Sequence, residues 1–152
     1  MVVITLNKEK KKLYIDKIPY DIVNIATHTE SGEDYLIIKS ILLFRIIPMK
    51  IIKSLDSDFN LKEVAFKARF HSKNICKHYK NKQFYRILAE AITYDSLDEY
   101  ILYESLYDNH RLWLRPKDMF YSKVNYNGEY LDRFHAIKDY STLQNIEKSL
   151  FL

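Results

Sequence analysis

Residues 12–41, KLYIDKIPYDIVNIATHTESGEDYLIIKSI, align without a gap onto residues 77–106, KHYKNKQFYRILAEAITYDSLDEYILYESL, at a constant offset of 65 positions. Nine aligned pairs are identical, among them Tyr20 with Tyr85 and Ala26 with Ala91. After a three-residue insertion, residues 44–48 (FRIIP) align onto residues 112–116 (LWLRP). Two diverged copies of one small module are therefore predicted to make up most of the chain.

A chain of 152 residues has the size of one domain, or of two small domains with a shared core. Each copy alone is near the lower size limit for independent folding, so we expect the two to pack as an internal pseudo-dimer. An apolar fraction of 47% supports a globular core. With two glycines and three prolines, the chain has no flexible linker and no glycine-rich phosphate loop.

Charge and cysteine content restrict the partners and the compartment. The net charge of +4 is a mild bias, well below the dense basic surface typical of non-specific nucleic-acid binding. Cys76 is the single cysteine, which excludes an internal disulfide and favours a reducing compartment. Residues 1–7 lack the basic-then-apolar pattern of a signal peptide, and the apolar run at residues 41–52 is too short to span a bilayer. We expect a cytoplasmic protein without a membrane partner, either a monomer with an internal pseudo-dimer or a homodimer.

Alternating and β-branched segments predict the strands. In the second copy they cover residues 84–93, 100–107 and 112–114, and a fourth strand at residue 124 leads into a turn at Asn127 and Gly128. In the first copy the corresponding strands cover residues 20–27, 35–41 and 44–47. The lysine-rich residues 8–12 are interpreted as a solvated hairpin or strand edge.

A helix is predicted after each copy. Asn60, with Glu63 three residues later, has the capping-box spacing for a helix over residues 60–72. Ser141 and Gln144 suggest the same for a helix over residues 141–151. The predicted fold is therefore α+β and mainly β, a tandem repeat of two small SH3-like partial β-barrels. The first repeat covers residues 1–73 and the second covers residues 74–152.

Motifs between Lys77 and Phe134 resemble a known family. They are Lys77-His-Tyr-Lys80, Tyr85-Arg-Ile-Leu88, Tyr103, Leu106-Tyr107, Leu112-Trp-Leu-Arg-Pro116, Met119-Phe120 and Arg133-Phe134. In this order and spacing they are similar to DUF1653, a small bacterial and phage domain of unknown function. Asn81 stands where the family pattern has glycine, and the family's His-Ser-Glu-Thr block is replaced by Thr93-Tyr-Asp-Ser96. The resemblance implies a compact β-rich module and carries no established activity.

The two copies differ most on one strand face. Leu112 and Leu114 alternate with Trp113 and Arg115, so the two pairs point to opposite faces. The first copy keeps apolar residues at the first pair but has Arg45 and Ile47 at the second. An indole beside a guanidinium suits stacking on a planar ring and contact with a phosphate or carboxylate.

A structural alternative stays open for the same pair. Trp113 would then pack against the other copy or a helix, and Arg115 would pair with Glu104 or Asp118. Around the pair, strand adjacency and the resemblance add further candidate ligand-binding residues. The full predicted set is Trp113, Arg115, Tyr103, Tyr107, Lys80, His78 and Arg133.

Signals for catalysis are poor. His71, Cys76 and His78 lack a fourth ligand at metal-site spacing, so we expect no metal and no cofactor. Cys76 has no identifiable orienting group or oxyanion site, which favours a buried structural thiol. We expect a protein that is not an enzyme.

Two functions remain open on the sequence. The first is a non-catalytic module that binds an anionic planar ligand, a nucleotide or single-stranded nucleic acid, through the Trp113 and Arg115 surface. The alternative is a protein-interaction module, such as a phage-encoded inhibitor of a host defence or regulatory protein. The partner would be nucleic acid in one case and a host or phage protein in the other.

Overall fold

The computed structural model describes residues 4–7, 9–10, 12–40, 45–50, 74–93 and 96–150. Within these residues the chain is mainly β, as predicted, with 58% strand. The strands are β1 (Ile4–Asn7), β2 (Lys12–Ile15), β3 (Ile18–His28), β4 (Asp34–Ser40), β5 (Ile46–Lys50), β6 (Ile75–His78), β7 (Phe84–Ile92), β8 (Glu99–Ser105), β9 (Leu112–Pro116), β10 (Lys123–Tyr126), β11 (Glu129–Asp132) and β12 (Phe134–Ala136). The helices are α1 (Lys117–Phe120) and α2 (Tyr140–Leu150).

Six of the strands close a single β-barrel. Strands β3, β4 and β5 form an antiparallel meander from the first half, and β7, β8 and β9 form one from the second. Two parallel contacts join the halves, β5 beside β7 at Ile46 and Ala91, and β9 beside β3 at Thr27 and Trp113. Each half thereby covers strand edges of the other, which would otherwise leave backbone groups unpaired. The two predicted partial barrels are in fact halves of one barrel.

The same bulge interrupts both central hairpins. The register shifts after Ile22 in β3 and after Ile87 in β7, two positions that are 65 residues apart. An extra residue reverses the face to which the following side chains point. The alternation in residues 84–93 predicts that Tyr85, Ile87, Ala89 and Ala91 share one face. This prediction is wrong, because Tyr85 and Ile87 pack outside the barrel while Ala91 lines its interior.

Equivalent positions of the two halves meet inside the barrel. The interior contains Val23, Ala26 and Ile37 from the first half, and Ala91, Leu102 and Leu114 from the second. Ile37 and Leu102 are 65 positions apart and both are 0% exposed. The barrel interior is thus a core that belongs to both halves.

A second apolar layer covers the outside of each half. The β1–β2 hairpin places Leu6, Leu13 and Ile15 on the first half. On the second half lies a group that we call the outer cluster: Cys76, Tyr85, Ile101, Tyr103 and Phe120, with Ile87, Tyr107, Trp113 and Phe134 packed against it. Strands buried on both faces need continuous apolar runs, which explains why residues 36–38 are all 0% exposed.

The predicted strands are found, with shifted ends. In the second half β7, β8 and β9 lie where residues 84–93, 100–107 and 112–114 predict them. The third strand of the first half was expected at residues 44–47 but extends over Ile46–Lys50. Asn127 and Gly128, both with positive φ, form the predicted turn between β10 and β11.

The closing helix is also found, but its first turn differs from the prediction. Asp139, and not Ser141, caps α2, because the Oδ2 atom of Asp139 accepts hydrogen bonds from the Thr142 N–H at 3.0 Å and from the Ser141 hydroxyl at 2.8 Å. The helix predicted over residues 60–72 lies outside the described residues. In the part of the chain that is described, neither helix is long and apolar enough to cross a membrane.

Candidate functional site

Phe134 is the centre of the region in which the predicted site residues meet. Its ring stacks on Phe120 with the ring centroids 4.2 Å apart and an interplanar angle of 9°. The rings of Tyr103 and His78 lie against it at 5.3 and 5.0 Å, and the guanidinium carbon of Arg115 is 5.8 Å from its centroid. β12, β6, β8 and β9 therefore bring together residues that are far apart in the sequence.

Arg115 is held by contacts from both halves. Its Nε donates to the hydroxyl of Tyr103 at 3.2 Å, and its Nη1 lies 3.7 Å from Oε1 of Glu30. The side chain is only 16% exposed. The alternative pairing with Glu104 or Asp118 is wrong, since Glu104 instead faces Arg86, whose Nε is 3.6 Å from the Glu104 Oε1.

Glu30 reaches Arg115 because of the parallel contact between β3 and β9. The Thr29 N–H donates to the carbonyl of Leu114 at 2.9 Å and brings the turn at residues 28–33 beside the end of β9. Sequence reasoning missed this partner, because pairing between the copies leaves no local pattern.

Trp113 is largely engaged within the protein. Its Nε1 donates to the hydroxyl of Ser105 at 2.9 Å, and the guanidinium of Arg111 lies 4.7 Å from the centre of the indole. Arg111 is itself fixed to the Thr27 hydroxyl, with its Nη2 at 2.8 Å. This covered, half-buried indole is not a free stacking platform, and Arg111 is a contact that sequence reasoning missed.

Two of the predicted tyrosines also have structural partners. Tyr103 is only 2% exposed. The Tyr107 hydroxyl is 2.5 Å from that of Tyr85, which also accepts a hydrogen bond from Asn81 Nδ2 at 2.8 Å. Burial, together with the bond to Tyr107, raises the pKa of Tyr85 above its ordinary value. The two predicted tyrosines thus support the site from beneath rather than line it.

His78 begins the turn that follows β6. Its backbone N–H donates to the Gln83 carbonyl at 3.0 Å, and its carbonyl accepts from the Lys82 N–H at 3.1 Å. Lys82 occupies the left-handed region with φ 60°. The His78 Nδ1 faces the Lys80 N–H at 3.4 Å, so the turn folds back over the imidazole.

The environment of His78 is cationic. Partial burial, followed by the positive charges of Arg115, Arg133, Lys80 and Lys82, lowers the pKa of His78 to about 4. The imidazole is therefore neutral at pH 7. We call these four side chains the cationic cluster.

In the described part of the chain, the guanidinium of Arg133 is held through its Nε atom alone. Its Nε donates to the Met119 carbonyl at 3.0 Å and to the Ser122 hydroxyl at 3.2 Å, and its own carbonyl accepts from the Tyr79 N–H at 3.1 Å. Among the described residues, no acceptor contacts its two terminal nitrogens. Arg133 is thus held in place with two donor groups available.

The other cations of the cluster, Lys80 and Lys82, form few contacts with acidic groups. In the part of the chain that is described, neither Lys80 nor Lys82 forms an ion pair, and Glu30 is the one carboxylate that pairs with the cationic cluster. The Nζ of Lys82 lies 5.9 Å from the ring of Tyr126, which meets the ring of Tyr79 at 5.4 Å. The cluster therefore combines an excess of positive charge with two half-buried aromatic rings.

Cys76 has the environment of a structural thiol. It is 2% exposed, and burial raises its pKa to about 12, so the thiolate is absent at neutral pH. No group of three metal-ligating side chains occurs within the described residues. A surface hollow beside α2 is lined by His135, Asp139 and Thr142, and it contains none of the predicted site residues.

A comparison with known protein families finds a match in the second half of the chain, which contains most of the residues of this site. Residues 74–136 match the model of DUF1653, a family described as a protein of unknown function. The resemblance stated from Lys77 to Phe134 is thereby confirmed, and the match includes β6 to β12, with His78, Arg115 and Arg133. No curated protein and no solved structure matches the chain.

Proposed function

We propose that this protein is a non-catalytic binding module whose cationic cluster binds an anionic planar ligand, a nucleotide or single-stranded nucleic acid. The observation that carries the proposal is a set of lightly paired cations beside aromatic rings: Arg115 over Phe134, Arg133 held through its Nε, and Lys82 near the ring of Tyr126. In the described residues their one paired carboxylate, Glu30, is itself 47% exposed and easily displaced.

The aromatic part of the proposed site differs from the prediction. Since the indole of Trp113 is covered by Arg111, the rings of Tyr79 and Tyr126 are better placed to stack on a base. They lie beside Lys82, whose charge would meet the adjoining phosphate. Trp113 then supports Arg115 from the neighbouring position on β9.

An extended ligand fits this surface better than a mononucleotide. The cations come from the turn after β6, from β9 and from the segment between β11 and β12, so they are distributed over three separate segments. Proteins that bind single strands without sequence preference use such open basic surfaces with adjacent aromatic rings.

The alternative, a protein-interaction module, rests on a different observation. Tyr121, Tyr130 and Tyr140 are 58%, 75% and 73% exposed, and exposed tyrosines are common at protein interfaces. An acidic surface of a partner protein would also satisfy the cationic cluster. The inhibitor function predicted from the sequence remains a prediction.

We also propose that the two halves are diverged copies of one SH3-like module that now share a barrel. The equivalent bulges after Ile22 and Ile87 support this origin. So do two hydrogen bonds at equivalent positions: the His28 N–H donates to the Glu33 carbonyl at 2.8 Å, and the Thr93 N–H donates to the Asp98 carbonyl at 3.0 Å.

Fluorescence anisotropy with a labelled ten-residue oligothymidylate tests the proposed function. For a single strand, each phosphate contact contributes about 0.7 to the slope of log affinity against log salt. The double variant Lys80→Ala with Lys82→Ala should lower this slope by about 1.4. Lys148→Ala, on α2 and outside the cluster, should leave it unchanged.

Two outcomes would contradict the nucleic-acid proposal. One is the absence of binding at low salt, and the other is binding whose salt slope is the same in the double variant. If oligothymidylate fails to bind and a stoichiometric protein co-purifies, loses binding in the double variant and keeps it in Lys148→Ala, the protein-interaction function replaces the proposal.

A further inference from the structure

The imidazole of His78 and the guanidinium of Arg115 lie against the same aromatic ring, that of Phe134. The centroid of the imidazole is 5.0 Å from that of Phe134, over which the guanidinium carbon of Arg115 also lies at 5.8 Å. Arg133 precedes Phe134 in the chain and is anchored through its Nε. Phe134 pairs with His78 across β12 and β6, and the Tyr79 N–H donates to the Arg133 carbonyl at 3.1 Å, so Arg133 flanks the strand that carries the imidazole.

We propose, on the basis of the proposed function, that a phosphate group of the ligand binds between Arg115 and Arg133 and that His78 takes up one proton from solvent as it binds. The empty site holds a neutral imidazole, and the occupied site holds an imidazolium ion whose positive charge is attracted to the phosphate. The protein thus binds its ligand as a proton-coupled anion receptor.

The hydrogen bonding of the imidazole leaves room for this proton. In the neutral ring Nδ1 accepts the Lys80 N–H, so Nε2 carries the hydrogen. The incoming proton adds to Nδ1 and breaks that hydrogen bond. At 3.4 Å the bond is longer than a strong N–H to nitrogen contact, so its loss costs little.

The charges that face His78 set the direction of the coupling. Arg115 faces it from β9, Arg133 from the segment after β11, and Lys80 and Lys82 from its own turn. All four oppose the imidazolium ion, and a bound phosphate offsets them. Tyr85, which contacts the imidazole edge at 6.3 Å, stays neutral because its pKa is raised.

Glu30 is the carboxylate that approaches this group, through its contact with Arg115. A phosphate on Arg115 takes the place of this carboxylate. The substitution Glu30→Gln therefore separates the contribution of Glu30 from that of His78 experimentally.

The sign of the pH effect follows from linkage. A group whose pKa is higher in the complex than in the free protein makes binding tighter as the pH falls through the value in the complex. The gain in affinity reaches its limit at a pH below the pKa of His78 in the free protein, which is about 4. If the phosphate restores an ordinary histidine value near 6, affinity rises roughly tenfold between pH 7 and pH 5.

The test uses a ten-residue oligothymidylate without a terminal phosphate, because phosphodiesters do not titrate in this range. Affinity is measured by anisotropy from pH 5 to pH 7.5 at constant ionic strength. Calorimetry in two buffers of different ionisation enthalpy counts the protons taken up. The NMR resonance of His78 gives its pKa with and without the oligonucleotide.

We expect tighter binding at pH 5, up to one proton taken up on binding, and an upward shift of the His78 titration. His78→Asn should bind with a flat pH profile, because the amide oxygen replaces Nδ1 as acceptor without titrating. His135→Gln, outside the cluster, should leave the dependence of affinity on pH unchanged. Glu30→Gln should also leave this dependence unchanged.

The outcomes separate this inference from the proposed function. Binding with no proton uptake, or with a pH slope that is lost in Glu30→Gln, overturns the coupling and leaves the function standing. Absence of binding at every pH overturns both. Since the calorimetric and NMR readouts use the unmodified protein, the test does not depend on whether His78→Asn folds.

Discussion

The guanidinium of Arg115 lies 3.7 Å from the carboxylate of Glu30, and this contact joins the turn of the first half to the last barrel strand of the second. Arg115 also holds the hydroxyl of the buried Tyr103 at 3.2 Å. One arginine therefore links the two halves, completes an internal hydrogen bond and contributes to the cationic cluster. Substitutions at its two partners should separate these roles.

Glu30→Gln should increase affinity for the oligothymidylate about twofold to fivefold. The carboxylate competes with the ligand for Arg115, and an exposed ion pair of this kind contributes up to about 1 kcal/mol. Anisotropy at pH 7 and low salt measures the change. Glu147→Gln, exposed on α2 and outside the proposed site, is the matched control, and a weaker affinity of Glu30→Gln would contradict the competition.

Arg115→Ala should lower the free energy of unfolding by about 1–3 kcal/mol, because the hydroxyl of Tyr103 loses a partner in a buried position. A residue that only binds ligand would leave stability unchanged. Urea unfolding of Arg115→Ala, Tyr103→Phe and the double variant gives the coupling energy of the pair. Strictly additive effects would show that the hydrogen bond does not stabilise the fold.

Leu97→Gly should raise the free energy of unfolding by about 0.5–1 kcal/mol, after allowance for the greater freedom of glycine in the unfolded chain. Leu97 has φ 59° and is 66% exposed, so little packing is lost. Its equivalent in the first half is Gly32, with φ 71° and open space where a Cβ would lie. Gly32→Ala should therefore be destabilising, and the same sign for both variants would contradict the argument.

Ile37→Ala and Leu102→Ala should each cost about 2–5 kcal/mol, because both side chains are fully buried in the barrel interior. Since this interior belongs to both halves, each variant should still unfold in one cooperative transition. Circular dichroism and intrinsic fluorescence should then follow the same curve. Two separate transitions in either variant would indicate halves that are independently stable.

Much of the local structure was predictable because it depends on neighbouring residues. The strand predicted at residues 84–93, the turn at Asn127 and Gly128 and the closing helix all have local causes, and all three are present. The bulge after Ile87 was missed, because a single extra residue in a strand has no strong sequence signature. The N-cap was misplaced by two residues for a similar reason, since Asp139 and Ser141 are both good capping residues.

The site was only partly predictable. His78, Arg115 and Arg133 were named from the resemblance and from strand adjacency, and the structure brings all three to Phe134 or its neighbours. The roles of Trp113 and Tyr103 were not apparent, because whether an aromatic side chain is exposed depends on what packs over it. Here Arg111 covers the indole, and the outer cluster buries the phenol.

The sequence alone determined the strands and the main turns, because hydrophobic alternation and turn chemistry act over a few residues. The tertiary structure decided the rest. The two parallel contacts join the halves in one barrel, and this closure brings Glu30 to Arg115 across a separation of 85 residues. Packing of β12 on β6 then places the cations around His78, because charge and burial at a residue depend on the neighbours that folding gives it.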